Sequence, residues 1–125
     1  MRSAREQALG AVKAGDVIYG IAAGRQRKIL LVYKADESHI FARHITSQRT
    51  VKFRRDGTSE PTWDGGSCTI ASTAALSPQD HGVAVGLDRK NRSARELSDL
   101  GLNDVEIEFL QTAHDFFMAH PLPEQ

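Results

Sequence analysis

Five histidines, one cysteine and a block of arginines are the residues here whose side chains could do chemistry. The histidines are His39, His44, His81, His114 and His120, and imidazole is the group that gains and loses a proton near neutral pH. His39 and His44 are five apart in a stretch that reads as a strand, so the odd offset turns them to opposite faces. They cannot share a metal ion without a bulge. His114 and His120 lie six apart at the end of a predicted helix, which is poor spacing for a common ligand. The chain contains neither His-Glu-x-x-His nor Cys-x-x-Cys, and no metal site is expected. Cys68 is the only cysteine. Nothing near it marks a nucleophile, and a lone strand cysteine is expected to be a small buried apolar residue. No Gly-x-Ser-x-Gly elbow occurs, and Gly82-Val83-Ala84-Val85-Gly86 lacks the spacing of a phosphate or dinucleotide loop. No cofactor is expected.

The basic residues are more informative. Sixteen Lys and Arg balance sixteen Asp and Glu over the whole chain, but the two signs are segregated. Residues 25–55 hold nine basic residues against Asp36 and Glu37, a net +7. From Glu96 onward there are seven acids and no Lys or Arg, a net −7. Such blocks either offer a field to an anionic partner or neutralise each other, within the molecule or across a dimer. Arg25, Arg27 and Lys28 fall at the first predicted strand–strand turn, and Arg43 lies mid-strand beside His44. Arg49, Lys52, Arg54 and Arg55 surround the next turn and strand. These eight are the candidate nucleic-acid contacts, and Tyr19, Tyr33, Phe41 or Trp63 could stack bases if exposed. The plainer alternative makes the rings core and leaves the arginines to keep an edge strand soluble. A second cluster, residues 89–92 with Arg95, suits a helix C-terminus.

The elements that must position these groups fall in four zones. Ser3-Ala4-Arg5-Glu6 has capping-box spacing, predicting a helix over residues 4–13 that Gly15 stops. Residues 16–55 then follow a period of two. Val17, Tyr19 and Ile21 alternate, residues 29–33 are apolar on both faces like a central strand, and residues 39–46 and 51–54 alternate again. Residues 56–66 read as a long loop containing Trp63, and residues 67–72 as a returning fifth strand. Ser77-Pro78 opens a predicted helix to about residue 89, weakened by Gly82 and Gly86. Ser93-Ala94-Arg95-Glu96 is a second capping box, for a short helix ending at Gly101. The strongest helix covers residues 104–119, capped by Asn103, with Val105, Phe109, Ala113 and Phe116 on one stripe that Leu110 and Phe117 broaden. The expected fold is α+β: a small curved antiparallel sheet or SH3-like barrel with a short N-terminal helix and C-terminal helices.

The 125 residues suit one domain spanning the chain. The longest apolar run is five residues, residues 29–33, against about 20 for a membrane helix. Residues 1–7 have no apolar core of the kind a signal peptide needs. A cytoplasmic protein without a membrane partner is expected.

One family pattern is carried by short motifs. Gly15-Asp16-Val17-Ile18, the turn bearing Arg25 and Arg27, the apolar strand, and Ile45-Thr46-Ser47 together resemble the opening of the MazF/PemK-like toxin ribonucleases, over roughly residues 15–55. That family usually has a longer first loop and a proline after its arginine pair, where this chain has Lys28-Ile29. The resemblance implies an SH3-like barrel that usually dimerises and cleaves single-stranded RNA without a metal. It also implies cleavage-site roles for Arg25 or Arg27 and for Thr46 or Ser47. An arginine fork suits the charge on a phosphorane, and His39 or His44 could act as general acid or base if either faces the arginines. The expected catalytic set is therefore Arg25, Arg27, His44 and Thr46. Two non-enzymatic readings stand beside it. One is an interaction module whose acidic C-terminal helix docks on a protein partner; the other is a homodimer held by basic-to-acidic pairing.

Overall fold

The computed structural model describes the backbone of residues 3–22, 25–60, 67–94 and 104–123, with side chains for all of these except residues 94 and 104–107. Its elements run α1 (Ala4–Gly10), β1 (Val17–Ala22), β2 (Gln26–Ala35), β3 (His39–His44), β4 (Thr50–Arg54), β5 (Cys68–Ser72), α2 (Pro78–Ala94) and α3 (Asp104–Ala119). The strands form one antiparallel sheet in the order β4-β3-β2-β1-β5.

The sheet curls into a half-barrel, and one short segment bridges its open side. Glu60 N–H donates to Lys52 O at 2.8 Å and Thr58 O accepts from Arg54 N–H at 2.8 Å, both on the β4 side. On the β5 side, Ser59 N–H donates to Cys68 O at 2.9 Å and Ile70 N–H to Gly57 O at 2.8 Å. Backbone groups that would otherwise line two bare edges are thereby satisfied. Residues 57–60 thus belong to the sheet rather than to a free loop, while Trp63 lies outside the described residues.

Strand alternation sends two apolar sets to two faces. Ile18, Leu30, Val32, Ile40, Phe53 and Ile70 fill the concave interior, with Leu9 and Val12 of the α1 segment packed among them. Gly20 is needed where β5 approaches β1, because a Cβ there would lie 2.7 Å from Cys68 Sγ. Val17, Tyr19, Leu31 and Ile45 form the outer set, covered by Ala84 and Leu87 of α2 and by Phe109, Ala113 and Phe117 of α3. The sheet is therefore buried on both sides across β1 and β2.

The helices depart from the sequence pattern in three places. Ser3 caps α1 as expected, accepting from Glu6 N–H at 3.1 Å, but α1 ends at Gly10 rather than near residue 13. Arg55 takes one of the last α1 carbonyls and one just beyond the helix, its guanidinium donating to Leu9 O and Val12 O at 2.9 and 3.1 Å. Gly15 (φ +97°) serves the turn into β1 instead. Second, α2 runs through Ser93 to Ala94, so Ser93 opens no new helix there. Arg95, Gly101 and the cap at Asn103 lie outside the described residues. Third, the deepest residue of the α3 stripe is Phe117, with no exposed surface, while Phe116 is half-buried.

Phe117→Ala should cost about 3–5 kcal/mol of stability by opening a cavity under α3, and Phe116→Ala distinctly less. Urea denaturation of both variants checks this, and equal losses would contradict the packing.

Candidate nucleic-acid interface

A cleft of about 270 Å³ opens between β2, the turn after β3 and α3. Tyr19, Arg27, Lys28, Ile29, Thr46, Leu110, Gln111 and His114 line it. Three residues singled out by sequence, Arg27, Lys28 and Thr46, meet here from segments eighteen positions apart. Of the paired candidates, Arg27 and Thr46 line the cleft, and Arg25 and Ser47 do not. Arg25 is exposed just before β2, in the left-handed region at φ 60°. Clefts for whole small molecules run to roughly 300–1,000 Å³, so this volume suits a phosphate or a single base.

His114 is the member that sequence reasoning missed. Arg27 Nη1 lies 2.6 Å from His114 Nε2. Arginine can only donate, so this imidazole nitrogen is the acceptor in this geometry. His114 also tilts against Tyr19, with ring centroids 5.7 Å apart. The available signal was its position one turn beyond Leu110, on the border of the apolar stripe. Tyr19 is itself core. It is 2% exposed, stacks on Phe117 at 5.7 Å, and its hydroxyl donates to Met118 Sδ at 3.2 Å. Burial raises its pKa, against a smaller opposing effect from Arg27.

His44 does not join the cleft. It faces the opposite side of the sheet from His39, as the odd spacing requires, and is only 9% exposed. Burial pushes its pKa down to about 4, with repulsion from Lys28 and Arg49 adding to the effect. Its Nδ1 is buried without a hydrogen-bond partner among the described residues. A group this hard to protonate, on the other face of the sheet from Arg27, is badly placed for general acid–base work with it. His39 instead pairs with Glu60 at 2.7 Å.

The remaining basic candidates divide by what holds them. Arg43 donates twice to Asp88, from Nε at 2.8 Å and Nη2 at 2.7 Å, and Asp88 is 1% exposed. Burial opposes ionisation of Asp88, but hydrogen bonds from Arg43 and Gln48 and the nearby positive charge outweigh it and hold the carboxyl below its ordinary range. Arg55 is committed to four backbone contacts with Leu9, Val12 and Asp36 oxygens. Arg43 and Arg55 are thus structural rather than poised for a ligand. Lys52 and Arg54 are exposed on β4, alternating with buried Val51 and Phe53 as expected. Lys52 lies 3.6 Å from Glu60, and Arg54 donates to Ser59 O at 3.2 Å. Arg49 is exposed after the β3 turn. Cys68 is buried and its thiol is pushed up to about 11 by burial, which suits packing and not nucleophilic attack.

Among the described residues, no group of three or more His, Cys, Asp or Glu could hold a metal ion. No helix there is long and apolar enough to cross a membrane. Fold and cleft together define an α+β protein built on a curled half-barrel sheet with a basic notch beside the middle of α3. Comparison with protein-family models, characterised proteins and solved structures gives no match to this chain.

Two expectations follow from the buried groups. His44 stays neutral in the fold while the unfolded chain takes up its proton, so its contribution is complete above about pH 6.5. It is lost as pH falls from 6.5 toward 4, by about 3 kcal/mol in all. Stability measured across this window should fall in the wild type and flatten in His44→Gln. Asp88→Ala strands the Arg43 guanidinium and should cost about 3–5 kcal/mol, whereas the double change Arg43→Met with Asp88→Leu should recover much of that loss.

Proposed function

We propose that the chain is an RNA-directed protein that holds a phosphate of single-stranded RNA in the cleft, on Arg27 beside Thr46. The observation that carries this reading is the convergence of Arg27, Lys28 and Thr46 with His114 around one small cleft. Arg27 supplies both charge and, through its fork, direction for a phosphate, while Lys28, the next residue along the strand and turned to its other face, adds to the field at the rim. Arg27 reaches the phosphate by leaving His114 Nε2, which frees that lone pair.

The resemblance to toxin ribonucleases adds a reaction class. In metal-independent cleavage the 2′-oxygen attacks phosphorus, the bond to the 5′-oxygen breaks, and a 2′,3′-cyclic phosphate remains. One proton leaves the 2′-hydroxyl for a base and another reaches the departing oxygen. Arg27 would stabilise the phosphorane charge. His114, released from Arg27, is better placed than His44 to accept the proton, and Thr46 would orient the phosphate.

Purified protein should bind short single-stranded RNA with an affinity that falls linearly in log–log form as salt rises, because phosphate contacts release counterions. Arg27→Glu with Lys28→Glu should abolish binding without altering the fold, since neither side chain packs in a core. Thr46→Ala separates the two forms of the reading. A ribonuclease loses cyclic-phosphate product and keeps affinity, whereas a binder shows no product in either form. A folded wild type that ignores RNA even at low salt would overturn the reading and leave the exposed acids of α3, Glu108 and Asp115, as a protein-docking face.

A further inference from the structure

The helices cover only part of the outer face of the sheet, and what they leave open is neither apolar nor bland. Tyr33 on β2 and Phe41 on β3 stand side by side there, with ring centroids 6.4 Å apart. Tyr33 is 42% exposed and Phe41 is half-buried. Three cations bracket the rings. Lys34 Nζ and Lys52 Nζ lie 5.2 and 5.6 Å from the Phe41 centroid, and the Arg43 guanidinium lies 5.3 Å from that of Tyr33. Arg54 is exposed nearby on β4, and Glu60, paired with His39 and Lys52, is the acid beside them.

A register shift builds this arrangement. Val32 pairs with Ala42 but Lys34 pairs with Phe41, so Tyr33 is an extra residue in β2. Val32 and Ala35 remain with the concave core, and both Tyr33 and Lys34 turn outward. A bulge commonly re-aims a side chain in this way. Here it places a ring and an ammonium together on the outer surface. Phe41 pairs across to Lys34 on one side and to Lys52 on the other, giving a transverse row of cation, ring, cation.

We propose that Tyr33 and Phe41 form a base-stacking platform for single-stranded RNA, flanked by Lys34, Lys52 and Arg54 as phosphate contacts. The proposal rests on the RNA reading above and adds a second subsite, distinct from the cleft. Charge complementarity selects the occupant: exposed rings edged by cations match a polymer that alternates flat π-faces with phosphates. Every base has such a face, so the platform is indifferent to sequence. An arriving base displaces an ammonium from Phe41, and that ammonium moves to the adjoining phosphate. The exchange is favourable because an exposed cation–π contact is weaker than base stacking. Arg43 cannot follow, since Asp88 holds it, and it stays against Tyr33 as a fixed support.

The test uses the full chain and a short fluorescent oligouridylate, with inorganic polyphosphate as a probe that carries charge and cannot stack. Tyr33→Ala and Phe41→Ala should each weaken RNA binding by about 10- to 100-fold and leave polyphosphate binding unchanged. Tyr33→Phe and Phe41→Tyr should keep RNA affinity. Tyr33→Leu, which retains apolar bulk without a π-face, should behave as Tyr33→Ala. Lys34→Glu with Lys52→Glu should reduce the salt dependence, which the ring variants leave intact. If wild type binds RNA, Arg27→Glu with Lys28→Glu loses it, and the folded ring variants bind as wild type does, the platform is refuted and the cleft reading survives. Equal losses for RNA and polyphosphate in the ring variants would also refute stacking. Failure of the wild type to bind RNA removes both.

Discussion

The buried pair between Arg43 and Asp88 is the interaction on which the outer half of the molecule depends. An isolated carboxylate at 1% exposure is untenable. Asp88 is kept there by a bidentate arginine, by Gln48 Nε2 at 3.2 Å, and by Arg92 Nη2 at 3.8 Å. Since Arg43 belongs to β3 and Asp88 to α2, the pair fixes the helix against the sheet at one row of residues. Two positions onward, Ile45 is covered by apolar side chains of the helices. Two positions back, Phe41 is open to lysines. The clasp therefore marks where helix cover stops, and it decides which outer residues become core and which become surface.

The same helix sets the turn that carries Thr46. Ile45 O accepts from Gln48 Nε2 at 3.0 Å and from Asn91 Nδ2 at 2.9 Å. Gln48 itself is 3% exposed and sits at φ 63°, a conformation that costs a non-glycine residue energy and persists only where the surroundings impose it. A turn held by two side-chain amides and a buried carboxylate has little freedom, so Thr46 lies beside the middle of α3 in a defined position. The opposite wall is set by a different contact, Arg27 on His114. The cleft is thus a junction of three elements rather than a feature of the sheet alone.

Most of the architecture was legible because each part has a local cause. Alternation over residues 17–21 and 39–44, the apolar run at 29–33, and the serine at the head of each of the first two helices are read without knowing what they touch. The order β4-β3-β2-β1 then follows from short antiparallel connections, whereas β5 crosses over to pair with β1. What was not legible depends on partners distant in sequence. Nothing near Arg43 or Asp88 announces a pair forty-five residues apart, and so Arg43 reads as a surface cation. Arg55 likewise looks free until α1 presents its carbonyls. The bulge at Tyr33 is invisible because a continuous apolar run gives no sign of where its pairing slips by one. His44 looks poised beside an arginine, yet the strand parity that separates it from His39 also sends it inward. His114 is inconspicuous because its partners, Arg27 and Tyr19, lie eighty-seven and ninety-five residues earlier.

The net +7 of residues 25–55 therefore overstates the field available to a partner, and its distribution matters more than its sum. Arg55 is consumed in capping α1 and Arg43 in clasping α2, both through donors that a ligand would need. Lys52 shares Glu60 with His39. Apart from Arg25 and Arg49 in the turns, what remains is grouped at two places on the sheet, Arg27 and Lys28 at the start of β2, and Lys34 near its end with Lys52 and Arg54 of β4. Ile29 at the cleft and Tyr33 at the rings are four residues apart on one strand, about 13 Å. Between them lie Leu31 and the Arg43–Asp88 row, covered by α2. Cations separated by more than about 8–10 Å are largely screened from each other at physiological salt. The two groups therefore act as separate electrostatic sites. Each must hold its ligand by local geometry, a fork and a hydroxyl at one end, rings and ammoniums at the other. Summing the charge of the chain, or even of its basic half, would describe neither.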